Sequence, residues 1–436
     1  MTGGGVREAS ASPASHPAGF GVRLGPRVRR FLRGRLALWI AFALVHTALI
    51  QLNLRAPGWP LGDIEGVYRV WAMNAAEGYV RMGIDVPWVY PILAFAPMTG
   101  ALAFGPEWYS QTWLGIVTGL DALAFAVLLG RRRLSRPRRL AAWWWLGFLA
   151  LLGPIALGRI DAITVPLAMT GLLQAAGRPR VAAALLTIGA WVKVWPAALL
   201  GALLMASRKR ADVVTVAVAL SAGILGASLI AGSGLNALGF IGEQTGRGLQ
   251  IEAPVALAWL WQIAAGNPGV RIRYDREILT FQISGPGAEI AAALTTPVMV
   301  LGVLAVLLVG LRAVRRRAAF GRLLPPLALA FVLVLMLANK VGSPQFVTWL
   351  AAPVILGIVL RPRRFAVPAC LAAGIALVTQ VIYPYWYDWL LVAHPLLVLA
   401  LTVKVVLLIL LLAWCLRTLW HAGRDAGAPS VARLNP

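Results

Sequence analysis

Basic clusters and carboxylates alternate along this chain in an order that only a multi-span membrane fold satisfies. Short runs such as Arg131, Arg132, Arg133, Arg136, Arg138 and Arg139 flank apolar stretches, and Glu8, Asp212 and Asp425 fall on the same side as these runs. Every other acid except Asp121 falls in segments at the opposite ends: Asp63, Glu65, Glu77, Asp85, Glu107, Asp161, Glu243, Glu252, Asp275, Glu277, Glu289 and Asp388. Lysine- and arginine-rich loops stay in the cytoplasm. The carboxylates able to do chemistry therefore face outward, and the first outer loop holds Asp63, Glu65, Glu77, Asp85 and Glu107.

Composition agrees. With 60% hydrophobic and 13% charged residues over 436 positions, the chain cannot be a soluble domain and reads as an all-α polytopic membrane protein. A formal charge of +24 would suit nucleic acid, but arginines bracketing apolar runs are explained by topology, so no nucleic-acid partner is expected. Cys370 and Cys415 both lie in apolar spans, which argues against an extracellular disulfide or a thiolate metal site.

Residues 1–33 are expected to form a flexible basic cytoplasmic tail, 34–420 the transmembrane domain and 421–436 a second cytoplasmic tail. Phe31 to Leu54 has a long apolar run without a small-residue cleavage pattern, so it reads as an uncleaved first span. Ten spans are expected, at Arg35 to Leu54, Trp108 to Gly130, Leu140 to Leu157, Asp161 to Ala176, Ala211 to Ala231, Glu289 to Leu311, Leu323 to Ala338, Phe346 to Leu360, Phe365 to Tyr383 and Pro395 to Leu416. Tyr90 to Gly105 is apolar, but counting it as a span would carry the Arg131 to Arg139 cluster outside. It is assigned to a re-entrant or surface helix. Val181 to Ala206 has basic residues at both ends, so it is expected to be a hairpin of two short helices broken at Pro196, with Lys193 near the tip. Both termini are then cytoplasmic, and the outer loops are 55–107 and 232–288.

In the first outer loop, Ile64, Val67, Tyr68, Trp71 and Ala75 recur with helical spacing, predicting an amphipathic helix with Asp63 at its start. An aspartate there either caps the helix or does chemistry. Glu65, two positions on, diverges from it on a helix and forms no dyad. Lysine usage gives an independent signal. Among forty basic residues only four are lysine, and Lys193, Lys340 and Lys404 lie inside or at the edge of apolar spans. Embedded cations are costly and persist when paired, and a lipid phosphate is a natural partner. Gly158-Arg159-Ile160-Asp161 is a tight outer turn that either forms a local ion pair or offers both charges to a ligand. Arg247 to Glu252, with Gln250, and Asn339 to Phe346, with Lys340, Ser343 and Gln345, are polar knots in apolar surroundings. Asp121, inside a span, is a structural hydrogen-bonding group or a partner for Lys404. His394, Trp143 to Trp145 and the group Tyr383, Tyr385, Trp386, Tyr387 and Trp389 read first as interfacial residues.

Taken in order, Gly62-Asp63, Val67-Tyr68, Tyr90-Pro91, Gly158-Arg159-Ile160-Asp161, Lys193-Val194-Trp195-Pro196, Arg247 to Glu252 and Lys340 to Gln345 resemble the membrane glycosyltransferases of family eighty-seven. These belong to the GT-C superfamily and include polyprenol-phosphate-mannose-dependent α-mannosyltransferases of actinobacteria. The resemblance runs from Leu36 to Leu416. It departs at Arg159, where the family often has Gln, and at Ile92, where the family often has a second Pro. It implies a GT-C-like bundle in the plasma membrane with an outward-facing site. It also implies an inverting transfer of a hexose, mannose above all, from a polyprenyl-phosphate donor to a glycolipid or cell-envelope glycan acceptor. Asp63 takes the role of catalytic base by this resemblance. Tyr68, Arg159, Asp161, Lys193, Arg247, Gln250, Glu252, Lys340, Ser343 and Gln345 are candidates to bind substrate, and no cofactor or metal is expected.

The chemistry fits those residues. Transfer from a lipid phosphate passes through an oxocarbenium-like state, and the phosphate leaves as a stable anion. The enzyme therefore needs a base for the acceptor hydroxyl and cations for the phosphate. A transporter or flippase of lipid-linked sugars would share the basic contacts but show related halves. A structural assembly subunit would leave the polar motifs inert.

Overall fold

The computed structural model describes residues 31–243, 247–276 and 278–423. Glu8, Glu277, Asp425 and most of both tails fall outside the described residues. In chain order, α1 (Arg35–Arg55) leads to a π-helical turn (Ile64–Tyr68) that runs into α2 (Arg69–Ala76), followed by α3 (Phe95–Gly100), α4 (Tyr109–Leu129) and α5 (Arg136–Leu152). Then come α6 (Asp161–Gln174), α7 (Pro179–Val192), α8 (Pro196–Ala206), α9 (Arg210–Ile230), α10 (Gly239–Glu243) and α11 (Leu257–Ala264). A two-stranded antiparallel ribbon, β1 (Arg271–Asp275) with β2 (Thr280–Ser284), precedes α12 (Ala288–Arg315), α13 (Phe320–Leu337), α14 (Ala351–Leu360), α15 (Ala366–Gln380), α16 (Tyr387–Leu391) and α17 (Pro395–His421).

Among the described residues, eight helices are long and apolar enough to cross a membrane. They account for eight of the ten expected spans. The other two are shorter for a visible reason. The fourteen residues of α6 reach roughly 21 Å, well short of a ~30 Å hydrocarbon core. α14 is entered through a 3-10 segment, Pro344–Leu350, rather than a continuous α-helix. Both are enclosed by other helices: Asp161 to Pro166 and Ala351 to Ile358 are buried without interruption. A helix walled in by protein need not match the bilayer, and hydropathy cannot tell an apolar neighbour from lipid.

The expected hairpin is present. α7 ends at Val192, Lys193 is extended, and Pro196 opens α8 as a first-turn proline whose missing N–H costs nothing there. A Cβ at Gly189 would lie 3.3 Å from the Pro196 ring, so the two arms pack closely. At the hairpin's base Arg180 reaches Asp212, 3.0 Å away at the start of α9, so both arms return to one end of the bundle. Tyr90 to Gly105 contains only a 3-10 turn and α3, too short to span, as the charge argument required.

Charge segregation is visible in the packing. The Arg35 guanidinium donates to the Arg132 carbonyl, Arg138 donates to Val127 and Leu128 at the end of α4, and Arg312 at the end of α12 donates to the Trp420 carbonyl. The arginine clusters thus cap one end of the helices, while Asp63, Asp161 and Glu252 lie on connections at the other. The ribbon is the one pair of strands among the described residues; Ile272 lies opposite Ile283 and Tyr274 opposite Phe281, with Ile283 and the polar Gln282 both buried and Tyr274 exposed.

Candidate functional site

The site is assembled from connections, and sequence chemistry explains why each stays where it is. The Gly158 turn is pinned to α1 and α4: Asn53 of α1 donates to the Pro154 carbonyl at 2.9 Å, and Trp113 of α4 donates to the Leu157 carbonyl at 3.1 Å. A Cβ on Gly158 would approach Asn53 Oδ1 to 2.8 Å, so only glycine lets the turn lie this close. Arg159 and Asp161, two residues apart on that turn, point to different partners. No local ion pair joins them.

Arg159 Nε lies 3.0 Å from Asp63 Oδ2. Its other donors reach the Pro60 carbonyl at 2.6 Å, the Gly158 carbonyl at 2.7 Å and the Tyr383 hydroxyl at 2.7 Å. The Arg159 side chain is only 7% exposed, whereas the Asp63 side chain is 42% exposed. Asp63 precedes the π turn but makes no capping hydrogen bond, so the capping explanation of its presence fails. Arg159 holds one carboxylate oxygen and leaves the other side of the group open. Its remaining contacts with the chain make it a poor phosphate ligand and a good clamp. Asp63 raises the guanidinium's already high pKa despite burial.

Asp161, at the first turn of α6, is fully buried. Oδ1 accepts from the Trp349 indole at 2.6 Å, and Oδ2 faces Lys193 Nζ at 3.7 Å, an ion pair too long for a hydrogen bond. Lys193, at the hairpin tip, sits 4.6 Å above the Tyr90 ring and 6.0 Å from that of Phe346. Trp349 stacks on Trp195 at 5.4 Å and on Phe346 at 4.2 Å, and the Trp195 indole donates to Thr164. Both outer members of the Lys193-Val194-Trp195 motif therefore serve one wall, and Asp161 orients its cation.

Tyr68 connects the two pairs. Its hydroxyl is 3.3 Å from that of Tyr90, and burial first, then Tyr90 and Asp63, push its pKa well above the ordinary value, so it stays a neutral hydroxyl. The Arg247 pKa is lowered mainly by burial, with Tyr90 and Glu243 opposing, and among the described residues its Nε has no hydrogen-bond acceptor. Lys340 is likewise lowered by burial and by Arg247. The Lys340 carbonyl accepts from the Gln250 amide at 3.0 Å, joining the two polar knots. Gly342 lies so near the Glu252 backbone that a Cβ there would meet its carbonyl carbon at 2.1 Å.

Glu252 is buried and pairs with Lys404 at 3.3 Å. Burial pushes its pKa up, against the pull of Lys404 and Arg159. Lys404 is thus neither snorkelling nor the partner of Asp121, which instead meets His46 at 3.1 Å between α1 and α4. Gln345 is buried on the 3-10 entry to α14, and Ser343 caps that segment in extended backbone without a side-chain capping bond. His394 accepts from the Leu396 amide at the start of α17 and stacks near Trp389.

Tyr383 is the site residue that sequence reasoning passed over. Its neighbours Tyr385, Trp386 and Trp389 are exposed as a belt should be, but Tyr383 is buried, and Tyr387 packs edge-on against it at 5.4 Å. The available signal was the break that Pro384 imposes on a span just after Tyr383.

Glycosyltransferase family 87 supplies a model that matches residues 88–262, less than half of the chain. The matched segment contains Tyr90, the Gly158 turn, the hairpin tip and the Arg247 to Glu252 knot; Asp63 and Lys340 lie outside it. The match bears out the resemblance read from the motifs: over this segment the multi-pass membrane protein is similar to glycosyltransferase family 87, which supports glycosyl transfer as its activity. No curated protein and no solved structure matches the chain.

Proposed function

We propose that the protein is an inverting hexosyltransferase that moves mannose from a polyprenyl-phosphate donor to a glycolipid or cell-envelope glycan acceptor, with its site facing outward from the plasma membrane. The observation that carries this reading is the meeting of a half-open carboxylate, Asp63, with a set of partly or wholly buried cations at the end of the bundle opposite the arginine clusters.

In the proposed reaction the acceptor oxygen attacks the anomeric carbon, and the bond from that carbon to the phosphate oxygen breaks. The electron pair leaves with the polyprenyl phosphate, and the hydroxyl proton passes to Asp63 through the oxygen that Arg159 does not hold. Lys193, Lys340 and Arg247 stabilise the phosphate as its charge grows; the buried Nε of Arg247, which has no acceptor among the described residues, is a donor left for it. Arg159 keeps Asp63 in register, and Asp161 does the same for Lys193. One displacement step inverts the anomeric centre. Purified protein given radiolabelled polyprenyl-phosphate-mannose and a membrane glycolipid extract should form a labelled glycolipid of inverted configuration. Retained configuration, or no labelled lipid, would overturn the proposal.

A further inference from the structure

Four residues before Asp63, Trp59 combines features that an interfacial anchor does not need. Its backbone is left-handed, with φ of 46°, a conformation uncommon for a bulky residue. Its indole N–H donates to Glu65 Oε2 at 2.6 Å, and the other oxygen of Glu65 accepts from Ser110 at 2.9 Å. One face of the ring lies on the π turn. Cβ atoms on Gly62 and Gly66 would come within 3.3 and 3.2 Å of its carbons, so those two glycines make the seat. The residue remains 59% exposed. A belt tryptophan places its N–H among headgroups and water. Here the N–H is already satisfied inside the chain, and what the ring offers outward is an apolar face held at a fixed angle.

That face belongs to the segment carrying the proposed base. The Pro60 carbonyl, next to Trp59, accepts from the same Arg159 that holds Asp63, and the Gly62 amide closes a turn onto the Trp59 carbonyl at 2.9 Å. Lys193 and its aromatic wall are on the hairpin side of the cluster, where the donor phosphate is placed. We infer that Trp59 is the platform on which the acceptor's sugar ring stacks through its C–H face, setting the hydroxyl against Asp63, and that Glu65 is the residue that fixes the platform's angle. This rests on the transfer reaction proposed above and adds the acceptor's subsite and its chemical class, a pyranose rather than a bare lipid alcohol.

The test uses the full chain in detergent, with radiolabelled polyprenyl-phosphate-mannose as donor and octyl α-mannoside as acceptor probe. Trp59→Ala should raise the acceptor KM about tenfold while leaving the donor KM within twofold. Trp59→Phe, which keeps a ring, should recover most of the loss, and Glu65→Ala should fall between. An unchanged acceptor KM in Trp59→Ala, or equal rises for both substrates, would overturn the inference. Saturation-transfer NMR of octyl α-mannoside reads the platform without any turnover: signal on the sugar ring protons should drop in Trp59→Ala and persist in Asp63→Asn. Ring signal unaffected by Trp59→Ala contradicts the platform even if transfer is intact. Absence of transfer with a Trp59-dependent ring signal contradicts the reaction and leaves the platform standing.

Discussion

Asp63 and Asp161 are the same side chain, each paired to a cation of a later motif, yet their surroundings differ sharply. Asp63 is 42% exposed and touches a guanidinium already saturated by backbone and tyrosine oxygens. Asp161 is fully buried, bonded to Trp349, and faces a lysine that still overlooks the aromatic wall. The open acid can receive a proton from a ligand and the sealed one cannot. In the proposed reaction, exposure and the bonding of the partner cation separate the carboxylate that takes the proton from the one that positions a cation.

That contrast is broken most severely by Asp161→Asn. Removing one partner of a buried pair leaves an uncompensated charge and costs roughly 3–5 kcal/mol. We expect a large drop in the detergent-solubilised protein's thermal midpoint, exceeding that of Asp63→Asn, in which Arg159 keeps its bonds to the Pro60 and Gly158 carbonyls and the Tyr383 hydroxyl. Equal losses would erase the distinction. Next in size, Lys193→Met should raise the donor KM by about 10- to 100-fold, the worth of roughly 1.5–3 kcal/mol for a charge-assisted hydrogen bond, without shifting the acceptor KM.

Lys340 gives a pH test. Burial and Arg247 lower its pKa, so its ammonium form is lost at lower pH than in an ordinary lysine. A lysine is charged below its pKa and neutral above it, so the donor KM should rise on the alkaline side. In Lys340→Arg, charged throughout, that rise should move to higher pH or vanish. The smallest effect is expected at Ser343, whose hydroxyl caps nothing: Ser343→Ala should change turnover less than twofold and stability by under about 0.5 kcal/mol.

Much of this arrangement was legible in the sequence because it follows from charge and spacing along one dimension. The segregation of acids from arginines, the break between Val192 and Pro196, and the gathering of Tyr68, Arg159, Lys193 and Glu252 at one end all derive from segment ends, which topology fixes. Lateral pairing was not legible. Arg159 chose Asp63 over Asp161, Asp121 chose His46 over Lys404, and Lys404 chose Glu252, because helix rotation and packing decide which side chains face each other. Likewise α6 and α14 read as spans because apolar surfaces look alike whether they meet lipid or neighbouring helices, α4 and α7 for α6 and α5 for α14, and Tyr383 was hidden among belt aromatics of like composition.

The most direct measurement is single-turnover transfer by Asp63→Asn protein loaded with radiolabelled polyprenyl-phosphate-mannose, with donor affinity measured on the same sample. With Asp63 as the base, the donor should bind within about threefold of wild type while transfer slows by roughly 10²- to 10⁴-fold. Transfer at the wild-type rate would contradict the assignment, and donor binding lost in parallel with rate would place Asp63 among the phosphate-holding groups instead.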